Sequence, residues 1–439
     1  MDIRDIMKRR MQGEIQFLES PGSDRTIMIS SYIWWMDLMA FSAVELGYNV
    51  LLAEPWAVFF RDDDRWSNFD KAFDVWIKLL HRHRVQLVIG GDNGAVVPHR
   101  KTRELLHRAA GVPVVHYWWD EPRVDPSMMQ RGYSRQDYLN ALADDMTLNV
   151  FWDLDIKQEM ETYHGLSNGI HLPLGTKPDF YGLPQHVPMH QRPLEGCFVG
   201  NWYGIADDWE AVQNPTLLRI ATRLVEIRSN AGEVDRPMVD CVSDLCREDP
   251  DARAVFFPSQ QDDCKASFHI WRVYEALQNQ RLRADVVKAM SERLGDRFVL
   301  IGKRWERSGL SAAKESVIGP DAGVIYSATK LSLNLFGGCV HSGMPVRPFD
   351  IAASNGLIFT QYNRELPDLY EPGKECVAFR DFGEMNAALD EVLANPKAFN
   401  RMVRAGHRRT LKEHTWKHRL DTLFREAADR FDLPWSNLQ

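Results

Sequence analysis

The chain has 439 residues, 44% of them hydrophobic and 26% charged, which is too long for one core and suits two domains of ordinary size. Its net charge of -8, with positive residues dispersed along the chain, argues against nucleic acid as a partner, and apolar stretches such as 53–60 fall far short of the roughly 20 residues of a membrane span. Residues 1–12 carry basic side chains with no apolar core behind them, and six cysteines are scattered without scaffold density, so a cytoplasmic protein with reduced thiols is expected.

From residue 26 the pattern predicts a strand over 26–31, a helix over 34–46 stopped by Gly47 and a strand over 49–53, which together make a βαβ unit. Phe69, Phe73, Trp76, Ile77 and Leu80 recur at helical spacing, and the apolar run 85–89 ends in Gly90-Gly91-Asp92-Asn93-Gly94, as a buried parallel strand with a loop at its carboxyl end would. A helix over 101–110 precedes a strand over 112–118, whose end carries Trp119-Asp120-Glu121-Pro122. Strands at 148–152 and 170–174 bracket a helix at 156–163 and close a first doubly wound unit over 1–185. Pro178, Pro184, Pro188 and Pro193 then mark a linker.

A second α/β unit is expected over 194–413. It opens at Gly196-Cys197-Phe198-Val199-Gly200-Asn201, with strands at 298–302, 331–336, 357–360 and 376–379 and helices at 215–228, 267–294, 347–354 and 382–394. Residues 229–265 are polar and read as an irregular insertion at the sheet edge. Helices at 397–413 and 416–431, broken near His414-Thr415, form a tail whose last part, 414–439, crosses back toward the first unit. The fold class is α/β, two Rossmann-like domains with parallel sheets facing a cleft, where ligands bind at the carboxyl ends of the strands.

The C-terminal stretch is specific: Lys330-Leu-Ser-Leu-Asn334, Arg347-Pro-Phe-Asp350, Asn355-Gly356 before a strand, Glu371-Pro-Gly-Lys-Glu375 and His414-Thr-Trp-Lys-His-Arg419. In order and spacing it resembles the CgeB-like (spore maturation protein) glycosyltransferases, GT-B enzymes related to glycosyltransferase group 1. Phe198-Val-Gly-Asn201, Leu172-Pro-Leu174 and Asp120 with Pro122 add to the likeness. The resemblance implies a nucleotide-diphosphate sugar as co-substrate, held mainly by the second domain, with an acceptor of undefined chemistry on the first and no cofactor or essential metal.

Ser342-Gly343-Met344-Pro345 leads into the helix that starts near Arg347, so its free N–H groups can hold a diphosphate, with Gly343 allowing close approach and Arg347 stabilising the departing nucleotide. Asp350 stands where related enzymes carry the second of two glutamates, beside the nucleotide ribose. Ser342 stands where they carry the first, which leaves inversion or retention open. The basic pair that many relatives place after the first strand of this domain is absent at Asn201-Trp-Tyr-Gly204. Lys303, Arg304 or Lys330 is the expected substitute, and Gly200, Asn201 and Asn334 complete the expected donor site. For inversion an acceptor proton must be removed, and His116, Asp120 and Glu121 are the candidate acids and bases. Asp120 is the first choice because it matches the family's acidic position, and Asp92 is the reserve.

Several other features have plainer readings. Asp62-Asp63-Asp64, flanked by Arg61 and Arg65, is a solvated loop rather than an acidic metal motif. Cys241, Cys246 and Cys264 fit no common zinc spacing. Trp34, Trp35, Trp118 and Trp119 are core by context, the latter pair drawing more suspicion as sugar-stacking groups. His414 and His418 serve the crossing of the tail. Two other functions share the architecture: a nucleotide-sugar-binding protein without catalysis, and a nucleotide-sugar epimerase.

Overall fold

A computed structural model describes residues 3–12, 14–30, 33–53, 69–91, 96, 99, 101–118, 135–202, 210–257 and 265–435. In the first half, β1 is Gln16–Leu18, β2 Thr26–Ser30, β3 Asn49–Ala53, β4 Leu87–Gly90, β5 Val114–Trp118, β6 Thr147–Phe151 and β7 Gly169–His171. They form a seven-stranded sheet in the order β1-β3-β2-β4-β5-β6-β7. Every pairing in it is parallel except that of β1 with β3. In the second half, β8 is Leu194–Val199, β9 Phe298–Ile301, β10 Thr329–Asn334, β11 Ile358–Gln361 and β12 Val377–Phe379. These make a five-stranded, wholly parallel sheet in the order β12-β11-β10-β8-β9.

Strands β2, β5 and β6 are buried along their whole length. Helices cover both faces of a parallel sheet, so its strands read as continuous apolar runs instead of alternating ones. The helix Trp34–Glu45 is apolar nearly all round because it lies between the first sheet and the helix Trp416–Phe431, sharing one core with both. Asp37 in its first turn is fully buried and paired with Arg10 at 2.7 Å. The crossing that brings the last helix there is stitched at Thr176, whose N–H donates to the His414 carbonyl at 3.0 Å and whose carbonyl accepts the Trp416 N–H at 2.9 Å. His414 Nε2 also bonds the Leu369 carbonyl at 2.7 Å, and His418 caps its own helix through Thr415.

Residues 229–265 are not irregular where described. They hold the helices Met238–Glu248 and Pro250–Phe256, which join Pro215–Arg228 and Lys265–Gln278 in a separate helical core around Leu224, Val242 and Trp271. Asp249 is the local cause of the second helix: its side chain accepts the N–H groups of Asp251 and Ala252, with Pro250 in the first turn. The cluster docks on the first half, where the Met238 N–H donates to Asp155 Oδ2 at 2.9 Å and Tyr163 Oη to the Val239 carbonyl at 2.8 Å. The single helix expected over 267–294 is divided by a π-helical turn, Asn279–Ala284. The helix before β5 is only Leu106–Ala110, and the helices Ile3–Met11 and Pro320–Ala328, like β1, come without a prior signal.

Candidate functional site

A cavity of about 430 Å³ lies between the two sheets. Trp34, Trp152 and Leu174 line it from the first half, and Gly200, Asn201, Arg283, Gly302, Arg347 and Asp350 from the second. The last strand residues before Gly200 and Gly302 end β8 and β9, so the cavity sits outside carboxyl strand ends, where open parallel sheets bind ligands. Gly302 has φ of 148°, and a Cβ there would fall 1.9 Å from the Gly200 carbonyl oxygen. Only glycine lets these two loops meet. Trp305 Nε1 fixes the contact by donating to the same oxygen at 2.8 Å.

Arg347 is the second residue of the helix Val346–Ala353. Its guanidinium carbon is 5.5 Å from the Phe198 ring centroid, and its Nη2 is 3.1 Å from where a Cβ on Gly200 would stand. Asp350, three residues on, accepts the Thr176 hydroxyl at 2.6 Å and also bonds Tyr181. Burial pushes its carboxyl up to about 7, against the lowering pull of Thr176, Tyr181 and the Arg347 charge. Tyr326, which bonds Arg347, completes this wall.

Asn201 lines the cavity; its Oδ1 accepts the Lys303 N–H at 2.9 Å, and its carbonyl accepts Arg283 Nη1 at 3.2 Å. Lys303 stands at the exposed rim, with Nζ 3.9 Å from Glu315.

The sequence-based site changes at five places. Gly343 does not present free amides to a phosphate: the N–H groups of His341, Ser342 and Gly343 all donate to Asp153 Oδ2, at 2.8, 2.9 and 2.9 Å. The anion held by this loop is the protein's own, supplied by the first half, and a Cβ on Gly343 would meet the Trp152 carbonyl at 2.7 Å. Ser342 Oγ lies 2.5 Å from Glu365 Oε1 and accepts the Asp155 N–H at 2.9 Å, so position 342 belongs to the junction between halves. Lys330 is near the amino end of β10, opposite the cavity, and sits 3.8 Å from Glu195. Asn334 is fully buried and ties β10 to β11 by donating to Thr360 Oγ1 at 3.0 Å.

His116 is the fifth correction. It is the middle residue of β5, fully buried on the face that carries Val114 and Trp118, with its ring 4.1 Å from that of Trp118. Burial pulls its imidazole down to about 3, so it is neutral, and it does not line the cavity. Trp118 is likewise core, stacked on Phe151 with Nε1 donating to Asn149, whereas Trp34, Trp35 and Trp152 line the cleft among the described residues. Asp120, Glu121, Asp92, Trp119, Asp62-Asp63-Asp64 and Cys264 lie outside the described residues. Arg283, Tyr181 and Tyr326 were missed, because nothing in their local sequence marks which face of a helix or turn meets the other half.

Residues 281–425 match the family described as glycosyl transferase-like. The matched segment spans the strands and helices that carry Gly302, Arg347 and Asp350. No curated protein matches the chain. Among solved structures, the chain is similar to sucrose-phosphate synthase from Thermosynechococcus elongatus, with 9% identity, 93% of this chain and 99% of that one covered, and a TM-score of 0.51. A UDP-forming α,α-trehalose-phosphate synthase from Burkholderia xenovorans matches at 11% identity over 92% and 100%, with a TM-score of 0.47. The fold is GT-B, two α/β sheets that are parallel but for β1, with a helical C-terminal segment. No helix among the described residues is long and apolar enough to cross a membrane.

Proposed function

We propose that the protein transfers a sugar from a nucleotide-diphosphate donor to an acceptor hydroxyl in the cavity between the sheets. The observation that carries this reading is Arg347. It stands in the first turn of its helix, where a cation is unfavourable for the helix dipole, and lines the cavity over the bare backbone of Gly200. A bound diphosphate would offset that cost and stabilise the leaving group as the glycosidic bond breaks. Asp350, at the same wall, is proposed to contact the nucleotide or sugar hydroxyls, and Asp120 to take the acceptor proton, with Glu121 in support.

The finer points of the reading are a CgeB-like enzyme, acting in the cytoplasm, with no resident metal and no further cofactor. Turnover unchanged by EDTA would support the metal-independent part. The central test is thermal shift with UDP, GDP, ADP, CMP and TDP and their sugars. Ligand at 100 times its dissociation constant stabilises the native state by about 2.7 kcal/mol. A shift for one nucleotide that shrinks in Arg347→Ala, where about 1.5–3 kcal/mol of charge-assisted bonding is lost, supports the donor site. Folded protein that responds to none of them sinks it.

A further inference from the structure

The second sheet has its switch point between β8 and β10: the chain goes from β8 to β9 on one side, then crosses back past β8 to β10 on the other. Crevices at such points are where open α/β sheets hold their ligands. Two loops bound this one, Gly200-Asn201 after β8 and Gly337 beyond β10, and all three residues line the cavity. Each loop has a guanidinium against a glycine. Arg347 Nη2 is 3.1 Å from the place of a Cβ on Gly200, and Arg283 Nη2 is 3.2 Å from that of a Cβ on Gly337. Arg283 Nη1 also bonds the carbonyl of Asn201 at 3.2 Å, so the two cations meet consecutive residues of one loop.

Arg283 owes its position to the π-helical turn Asn279–Ala284. A π turn adds a residue to the helical repeat, re-aims the side chains beyond it and is frequent at functional positions. Here it falls where the helix Lys265–Gln278 of the helical cluster passes into Asp285–Leu294, which packs on β9. Among the described residues, two acids also line the cavity, Asp350, which feels the Arg347 charge, and Glu315. Asp350 is engaged by Thr176 and Tyr181, and Glu315 faces Lys303 at the exposed rim.

We infer that Arg283 and Arg347 form a two-guanidinium clamp for a diphosphate, with Arg283 replacing the basic pair that is missing after β8. Two forks at one crevice match two linked phosphates. This deepens the transferase reading and rests on it for the sugar, but the clamp itself is tested without turnover. Calorimetric titration with inorganic pyrophosphate and with inorganic phosphate, on wild type, Arg283→Gln and Arg283→Lys, reads it directly, with each variant's thermal melt as a check on folding.

The expected result is pyrophosphate bound at least tenfold more tightly than phosphate. Pyrophosphate affinity should fall about 10- to 100-fold in Arg283→Gln and less in Arg283→Lys. Equal pyrophosphate affinity in wild type and Arg283→Gln overturns the clamp while leaving the transferase reading standing. An Arg283-dependent pyrophosphate site in a protein that binds no nucleotide sugar keeps the clamp and removes the transferase reading. Wild-type protein that binds no pyrophosphate overturns the clamp whatever its activity.

Discussion

Asp153 Oδ2 lies 2.9 Å from the Gly343 amide and takes the two preceding amides as well. One carboxylate of the first half thereby closes the loop that leads to Arg347 in the second, while its Oδ1 caps its own helix by accepting the Ile156 N–H. Removing it strands three buried donors and a cap. Asp153→Ala is expected to destabilise the fold by about 2–4 kcal/mol, read as a lower urea midpoint. An unchanged midpoint would show that the loop finds other partners.

Asp350 gives the protein a pH dependence of defined sign. Folding raises this carboxyl from 3.8 to about 7, burial being the largest cause. Between those values the folded state binds more protons than the unfolded one, so stability falls as pH rises through the window, by at most about 4 kcal/mol for this group. Asp155, raised to about 6 by burial and by neighbouring Asp153, adds a slope of the same sign. Asp350→Asn should flatten the wild-type curve between pH 4 and 7 while leaving the Asp155 part, a difference measurable by urea melts at both ends. Parallel curves would mean that Asp350 keeps an ordinary carboxyl value.

Gly302→Ala tests the contact between the loops after β8 and β9. The methyl would overlap the Gly200 carbonyl, in a backbone conformation that L residues rarely adopt. A loss of about 3 kcal/mol or more is expected, together with weakened nucleotide binding because Gly200 backs Arg347. A variant as stable as wild type would show that the loops can part without cost.

His116→Leu separates a buried histidine from a catalytic one. Neither ring nitrogen has a hydrogen-bond partner among the described residues, and an unpaired buried imidazole costs free energy. Thermal stability should hold or rise and turnover should be unaffected. A large fall in kcat with the melt unchanged would return His116 to the reaction.

Much of the fold was legible because it is written locally. The helix Pro215–Arg228 is announced by Asn214 and a proline in its first turn, Phe382–Ala394 by Asp381, and Trp416–Phe431 by Thr415. Buried strands such as β3 show as apolar runs between turn residues. The site was legible only where a residue's own loop or helix turns it toward the cleft, as with Gly200, Asn201, Arg347 and Asp350. Gly343 was misread because a glycine loop before a helix looks the same whether its anion is a phosphate or an aspartate 190 residues away. Arg283 was hidden because a helix that widens for one turn has no signature in the sequence.

Trp416 stacks on Trp35, and Phe424 and Trp435 pack on Tyr48, the last with Nε1 donating to Gln86. During synthesis the strands of the first half emerge long before the helix that covers them. Until then Trp35 and Tyr48 present an uncovered apolar face, to be shielded by a chaperone or by another copy of the same nascent segment. Loss of residues 416–435 would therefore be felt first as aggregation of the N-terminal half, far along the chain from the cut.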